Sequence, residues 1–327
     1  MTHHSAHSSW VLSHIIEIDR HRAGFCGEFF RASIERRQVI AAYLAAKPPA
    51  ETEMAEVGHL LLGADHRSIL ARAYEEVPMG LRGALRRAGP AAHERRFYAI
   101  VHRLLATPPH PDVTQCIARI ESLDLTKLLV IRILPEAICR ANVVDAVASA
   151  SRAKDVATGY RLLISRGVDG ADLASAIQQV RNESELTKVW NTWLLKAKSP
   201  LHPVPANDGY FPVTSGAALS KLAQRYRNCA RRYLTDVLDE QAGHAFAEVR
   251  HAGEGVVVHL AKEDDQWRLE GVFGPGNSRP SPAMREHVTS YLRSHHVKVG
   301  ERERARRTEW DALRRLANAF HYAFEFD

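Results

Sequence analysis

Apolar residues recur at helical spacing from Trp10 to about Lys198. Glycine and proline interrupt this pattern repeatedly, and each interruption predicts the end of a helix. The interruptions are Pro48-Pro49, Pro78, Gly89-Pro90, Pro108-Pro109, Pro135 and the stretch Gly167 to Gly170. No residue signature recurs at a fixed period, so the pattern indicates an irregular all-α bundle and not a helical-repeat array. We therefore predict a helical domain over residues 1–199.

The helical pattern stops in a stretch rich in proline and turn residues. Residues 200–215 contain Pro200, Pro203, Pro205 and Pro212, together with Asn207-Asp208-Gly209. Such a stretch cannot continue a helix. A chain of 327 residues is also longer than most chains that fold around a single hydrophobic core, which favours two domains. We therefore predict that residues 200–215 are the linker between them.

Beyond this stretch, apolar residues recur along one face of a predicted long helix. They are Leu219, Leu222, Tyr226, Cys229, Tyr233 and Val237. Three short segments rich in valine and aromatic residues follow, Ala245 to Arg250, Val256 to Leu260 and Trp267 to Phe273, separated by short turns. This order predicts a three-stranded antiparallel meander packed against helices.

The third predicted strand alternates apolar and polar positions through to Phe273, which predicts one apolar face. After the loop, Ser281 and Pro282 have the residue types that begin a helix. The apolar face of this helix comprises Met284, Val288, Tyr291 and Leu292. A final helix is predicted from about Glu301. Residues 216–327 thus form an α+β module, and the whole chain is predicted to be α+β.

Part of this module, roughly Leu219 to Leu292, contains a recognisable set of residues: Cys229, Tyr233, the strand around Phe246, Trp267 to Phe273, Gly274, Asn277, Pro280, Ser281-Pro282 and Arg285. In these residues the module resembles the PcfJ-like family. The resemblance implies a protein of conjugative plasmids and other mobile elements that assists DNA processing or transfer. The family has histidine immediately before the cysteine, whereas this chain has Asn228. The Cys-His pair of the family is therefore absent here.

Composition limits the remaining classes of protein. The chain is 45% hydrophobic and 25% charged, as in folded globular proteins. It contains no apolar run of 18 residues and no signal-peptide pattern at its start, so we expect a cytoplasmic protein without a membrane segment. Four cysteines without CxxC spacing, and 18 histidines without HExxH, predict neither a disulfide framework nor a metal site. The loop after Phe273 lacks the P-loop and GxGxxG patterns, so no cofactor is expected.

The net charge of +6 and the pI near 9.2 favour an anionic partner. On the predicted helix, one polar side carries the side chains of Lys221, Arg225, Asn228 and Arg232. Residues 220–232 contain no acidic residue. With Asn277 and Arg279 of the loop, these side chains form a candidate nucleic-acid-binding surface for DNA or RNA. The alternative is a solvated helix face in a chain rich in arginine.

Three functions remain open from the sequence. The first is a non-catalytic, nucleic-acid-associated accessory protein of mobile-element or defence biology, whose helical half docks a protein partner or extends the basic surface. The second is a protein-binding adaptor or inhibitor. The third is a hydrolase in which Cys229 works with His244 or His259. The apolar neighbours of Cys229 along the stripe instead predict a buried, inert thiol.

Overall fold

The computed structural model describes residues 9–106 and 111–299. By contacts, the chain divides into two compact units, with the boundary between Trp193 and Leu194. The predicted α+β class is confirmed, since helices are followed by an antiparallel sheet packed against further helices. No helix within the described ranges is both long and apolar enough to cross a membrane.

The first unit is built from helices, and its hydrophobic core lies between them. The helices are α1 Ser9–His21, α2 Phe25–Arg31, α3 Ile34–Ala46, α4 Met54–Gly63, α5 His66–Ala73, α6 Leu81–Arg86, α7 Arg95–Ala106, α8 Pro111–Arg119, α9 Leu125–Ile133, α10 Ala141–Ala146, α11 Ala150–Ser165, α12 Gly170–Gln178 and α13 Glu183–Lys196. Two 3-10 helices, Glu51–Glu53 and Glu136–Ile138, join them. The boundary between the units falls within the last turn of α13.

The predicted interruptions coincide with helix ends wherever the structure describes them. Helix α3 ends before Pro48, α9 ends before Pro135, and α11 and α12 are separated at Gly167. The predicted break at Pro108-Pro109 lies outside the described residues. Several further helix starts carry a capping side chain, such as Asp65 before α5. These caps divide the unit into shorter helices than the glycine and proline positions alone indicate.

The second unit contains a four-stranded antiparallel sheet in the order β1-β2-β3-β4. The strands are β1 Tyr210–Pro212, β2 His244–His251, β3 Glu254–Glu263 and β4 Gln266–Phe273. The helices around them are α14 Gly216–Tyr226, α15 Leu234–Leu238 and α16 Pro282–Ser294, with 3-10 helices at Cys229–Tyr233 and Pro275–Asn277. The meander β2-β3-β4 agrees with the three predicted strands.

A separate core lies on each face of this sheet. On one face, Val258 and Leu260 pack with Met284, Val288 and Leu292 of α16. As predicted, α16 begins with Pro282 after the Ser281 cap, whose hydroxyl accepts from the Met284 amide. On the other face, Phe246 and Val257 pack with α14 and with Val237 of α15. The unit therefore has three layers: α16, the sheet, and α14 with α15.

The stretch 200–215, predicted as a linker, instead belongs to the second unit. Its residues Tyr210–Pro212 pair with Ala247–Val249 of β2, and Val204 and Tyr210 are buried in the core on the α16 face. Proline excludes a helix there but is accepted in an edge strand, because one side of such a strand has no ladder to complete. The prediction took proline only as a sign of irregular chain and so missed β1.

The single long helix predicted from Leu219 to Val237 is also wrong. Helix α14 ends at Tyr226, and Arg227 follows with a left-handed backbone at φ 48° and ψ 50°. The chain restarts at Asn228, whose side-chain oxygen accepts from the Ala230 amide. Because the break changes the rotational phase, Cys229 is exposed and not buried as predicted.

The third strand is likewise less regular than predicted. A β-bulge between His259 and Leu260 leaves Glu270 as an extra residue in β4. Leu269 therefore faces the α16 side, whereas Gly271 and Phe273 lie opposite His259 and Val257. The predicted alternation through to Phe273 is wrong because it assumed an uninterrupted strand. The predicted helix from about Glu301 lies outside the described residues.

Candidate functional site

The predicted basic surface begins on α14. This helix starts at the Ser215 cap, and Leu219, Leu222 and Tyr226 anchor it on the sheet. Lys221 and Arg225 lie on its exposed side. The side chains predicted to continue the same face lie beyond the break at Arg227, and are therefore not in one straight row.

The two remaining predicted side chains of this segment have different environments. Asn228 is half-buried, and its side-chain oxygen holds the Ala230 amide at 3.1 Å. That oxygen is therefore engaged in starting the 3-10 helix Cys229–Tyr233. Arg232 is exposed within that helix, as is Arg231. The break thus keeps the arginines at the surface but directs Asn228 to a structural role.

The strongest polar arrangement of the second unit is centred on Glu248 of β2, a residue only 8% exposed. Its carboxylate accepts hydrogen bonds from Arg225 Nη1 at 2.6 Å and from Arg250 Nε at 2.9 Å. The Tyr226 hydroxyl donates to the same carboxylate at 2.9 Å. We call Glu248, Arg225, Arg250 and Tyr226 the arginine cluster. Sequence analysis predicted only Arg225 of these four as a site residue.

The arginines of this cluster are oriented but not enclosed. Their side chains remain 55% exposed for Arg225 and 56% exposed for Arg250, against 10% for Glu248. The Arg250 guanidinium also lies 5.4 Å from the centre of the Phe211 ring, a cation–π arrangement. Each guanidinium thus donates a hydrogen bond to Glu248, and it has further N–H donors. More than half of each arginine side chain still faces solvent.

The protonation states in the cluster follow from burial and hydrogen bonding. Burial raises the pKa of the Glu248 carboxyl, but the hydrogen bonds from Arg250, Arg225 and Tyr226 outweigh that effect and hold its pKa below the usual value. Burial, followed by the hydrogen bond to Glu248, raises the pKa of Tyr226 to about 12. At neutral pH the carboxylate is therefore ionised and the tyrosine remains a donor.

The loop after β4 contributes the other predicted residues. Its 3-10 turn Pro275–Asn277 contacts α14, so the loop and the basic helix are neighbours, as the predicted surface requires. The Gly274 amide donates to the Ser278 carbonyl at 2.9 Å, and the Ser281 hydroxyl and amide donate to Glu254. Asn277 and Arg279 are exposed on this tethered loop.

Two of the catalytic candidates, His244 and His259, form a second polar group on the α14 face of the sheet. His244 Nδ1 is 2.9 Å from His259 Nε2, and the Tyr233 ring lies 4.7 Å from the His259 ring. The His259 ring stacks on Phe246 at 4.2 Å. Burial, then the neighbouring His244, lowers the pKa of His259 to about 3. His259 is therefore a neutral core residue that is partnered by His244.

The hydrogen-bond partner of each of these two histidines is the other histidine, at 2.9 Å. Cys229 is exposed. Within residues 9–106 and 111–299, no three or more His, Cys, Asp or Glu residues converge as metal ligands would. The candidate functional site of the second unit is therefore the arginine cluster with its neighbouring loop.

Comparison of the chain with protein-family models, with curated proteins and with solved structures gave no match. The PcfJ-like resemblance of residues 219–292 therefore stays a prediction, resting on the residues that suggested it.

Sequence reasoning missed Glu248 and Arg250. Both lie in β2, two positions apart, so they point to the same face of the sheet as Phe246. An acid at an inward position of a predicted strand is a usable signal, since a buried carboxylate requires cationic or hydrogen-bonding partners. What the sequence does not contain is the identity of those partners, because Arg225 reaches Glu248 only through the packing of α14 on the sheet.

Proposed function

We propose that the second unit binds the phosphate backbone of a nucleic acid without catalysing a reaction. The observation that supports this most directly is the arginine cluster, in which one buried carboxylate orients two guanidiniums that are each more than half exposed. Guanidinium groups bind phosphate oxygens through paired N–H donors. Side chains already held in place lose less conformational entropy when a ligand binds.

The surrounding charge supports the same proposal. Residues 216–235 carry five basic side chains and no acidic one. The cations are Lys221, Arg225, Arg227, Arg231 and Arg232, and all five are exposed. Glu248 offsets one of the charges contributed by Arg225 and Arg250, so this surface keeps a net positive charge that attracts a polyanion.

The neighbouring loop would extend the surface. Arg279 offers a further cation, and Asn277 offers an amide that can hydrogen-bond a base or a sugar. The resemblance to PcfJ-like proteins adds a biological setting to this proposal, an accessory role in a mobile element or in defence. The protein would remain in the cytoplasm, where it would meet DNA or RNA.

The test is binding of the full chain to labelled single- and double-stranded DNA and RNA across a salt series. Arg225→Gln/Arg250→Gln removes both charges while leaving amide donors near Glu248. The matched control is Arg20→Gln/Arg82→Gln, which removes two ion-paired arginines with side chains 67% and 62% exposed in the first unit. Circular dichroism checks that both variants are folded.

We expect the cluster variant to bind about tenfold or more weakly, because hydrogen bonds from charged donors contribute about 1.5–3 kcal/mol each. The slope of log K against log salt should also flatten by about 0.9 for each lost contact to duplex DNA. The control should bind like the parent protein. Absence of binding to all four probes, or equal weakening in both variants, would contradict the proposal. Asn277→Ala/Arg279→Ala then tests the loop separately.

A further inference from the structure

The edge strand β1 places one aromatic ring beside the arginine cluster. Tyr210, the first residue of β1, is 1% exposed and packs in the core on the α16 face of the sheet. Because side chains alternate along a strand, Phe211 lies on the opposite face, which is the α14 face. There it is directly opposite Glu248 of β2, so the two side chains are cross-strand neighbours.

The Phe211 side chain is only partly covered by the protein. It is 40% exposed, whereas Phe246, which lies on the same face in β2, is 3% exposed and packs in the core. β1 is the first strand in the sheet order, and no further strand lies beyond it among the described residues. The second unit thus presents an aromatic surface to solvent at this edge of the sheet.

Arg250 connects the Phe211 ring to the arginine cluster. Its guanidinium carbon lies 5.4 Å from the centre of the ring, and its Nε donates to Glu248 at 2.9 Å. Arg225 donates to the other oxygen of the same carboxylate at 2.6 Å. One exposed ring and two exposed guanidiniums are therefore arranged around a single buried carboxylate. A nucleotide whose phosphate binds these arginines would have its base close to the ring.

The accessibility of the bases decides which form of nucleic acid suits such a surface. In a duplex the bases are stacked on one another and present only their edges in the grooves. Unpaired bases can be splayed out and stacked on aromatic side chains, while basic groups follow the backbone. We propose that the arginine cluster binds single-stranded nucleic acid, with Phe211 stacked on a base and Arg225 and Arg250 on neighbouring phosphates. This inference rests on the proposed function, because it specifies the ligand of the same site.

The test measures binding of the full chain to three labelled probes of equal length by fluorescence anisotropy. They are oligothymidylate, a single strand of abasic sites with the same number of phosphates, and a duplex. Phe211→Leu removes the ring but keeps an apolar side chain in β1, and Phe211→Trp keeps an aromatic surface there. The matched control is Phe30→Leu in α2 of the first unit, because Phe30 is also an exposed phenylalanine, at 54%. Circular dichroism checks that each variant is folded.

We expect Phe211→Leu to bind oligothymidylate about fivefold or more weakly, which is the effect of losing one stack between a base and an aromatic ring. Its binding to the abasic strand and its salt dependence should equal those of the parent, because both report phosphate contacts. Phe211→Trp and Phe30→Leu should bind all probes like the parent. The parent should prefer oligothymidylate to the duplex at physiological salt.

Failure of this inference can be distinguished from failure of the proposed function. If Arg225→Gln/Arg250→Gln loses salt-dependent binding but Phe211→Leu binds oligothymidylate like the parent, the inference is overturned and the proposed function stands. Equal affinity for the duplex also overturns it. So does equal weakening of Phe211→Leu on the abasic strand, since the ring would then act only by positioning Arg250. If the parent binds no probe, the proposed function is wrong and this inference falls with it.

Discussion

Removing the Glu248 carboxylate should destabilise the second unit more than removing either arginine that binds it. In Glu248→Ala, the Tyr226 hydroxyl loses its acceptor within the core, and such an orphaned group costs about 1–3 kcal/mol. The two ion pairs contribute less than about 1 kcal/mol each, since both arginines are more than half exposed. We therefore expect a loss of about 2–4 kcal/mol in unfolding free energy.

Arg225→Ala leaves the carboxylate with Arg250 and Tyr226 as donors, and should cost less than about 1 kcal/mol. The assay is hydrogen exchange of backbone amides during urea unfolding, followed in peptides that cover α14 and β2. A local readout is needed because a chain with two compact units does not have to unfold in one transition. If Glu248→Ala costs no more than Arg225→Ala, the assignment of Glu248 as the organising residue is wrong.

Two further predictions concern the same face of the sheet. The folded-state pKa of His259, about 3, lies below the ordinary value of 6.5, so the unfolded chain binds more protons and stability falls as the pH drops from about 7 towards 4. His259→Phe should remove up to about 1.4 kcal/mol per pH unit of that slope in urea titrations. In Gly255→Ala, the new methyl group overlaps the Tyr226 hydroxyl, and a loss of about 1–3 kcal/mol is expected. The loss should shrink in a Tyr226→Phe background, as a double-mutant cycle would measure.

The break after α14 shows where sequence periodicity fails. Leu219, Leu222, Tyr226 and Val237 are buried as the predicted stripe requires. Cys229 is not, because the chain turns at Arg227 and restarts at a cap. Asn228 is a preferred capping residue, so the signal was present. The prediction continued the helical rotation of about 100° per residue across this cap. It therefore placed Lys221, Arg225, Asn228 and Arg232 on one straight helix face, which the protein does not have.

Other features could not be derived from one sequence. The packing of α8 beside the 3-10 helix Glu136–Ile138 is one of them, since no spacing rule encodes it. The bulge at Glu270 depends on the register between β3 and β4. Element types, by contrast, were predictable wherever apolar periodicity was sustained, because burial of one face determines that periodicity.

Glu248 connects the fold to the proposed function. A buried ion pair is weak evidence of stability, because an apolar residue of similar size often stabilises a core equally well or better. The neighbouring inward position of β2, Phe246, is apolar and packs in the core on that face. An acid beside it, bonded to two arginines that remain largely in solvent, adds orientation of positive charge at the surface. Oriented positive charge at the surface favours the binding of an anion there. The decisive comparison is therefore the salt-dependent nucleic-acid binding of the Arg225→Gln/Arg250→Gln variant with that of the parent protein.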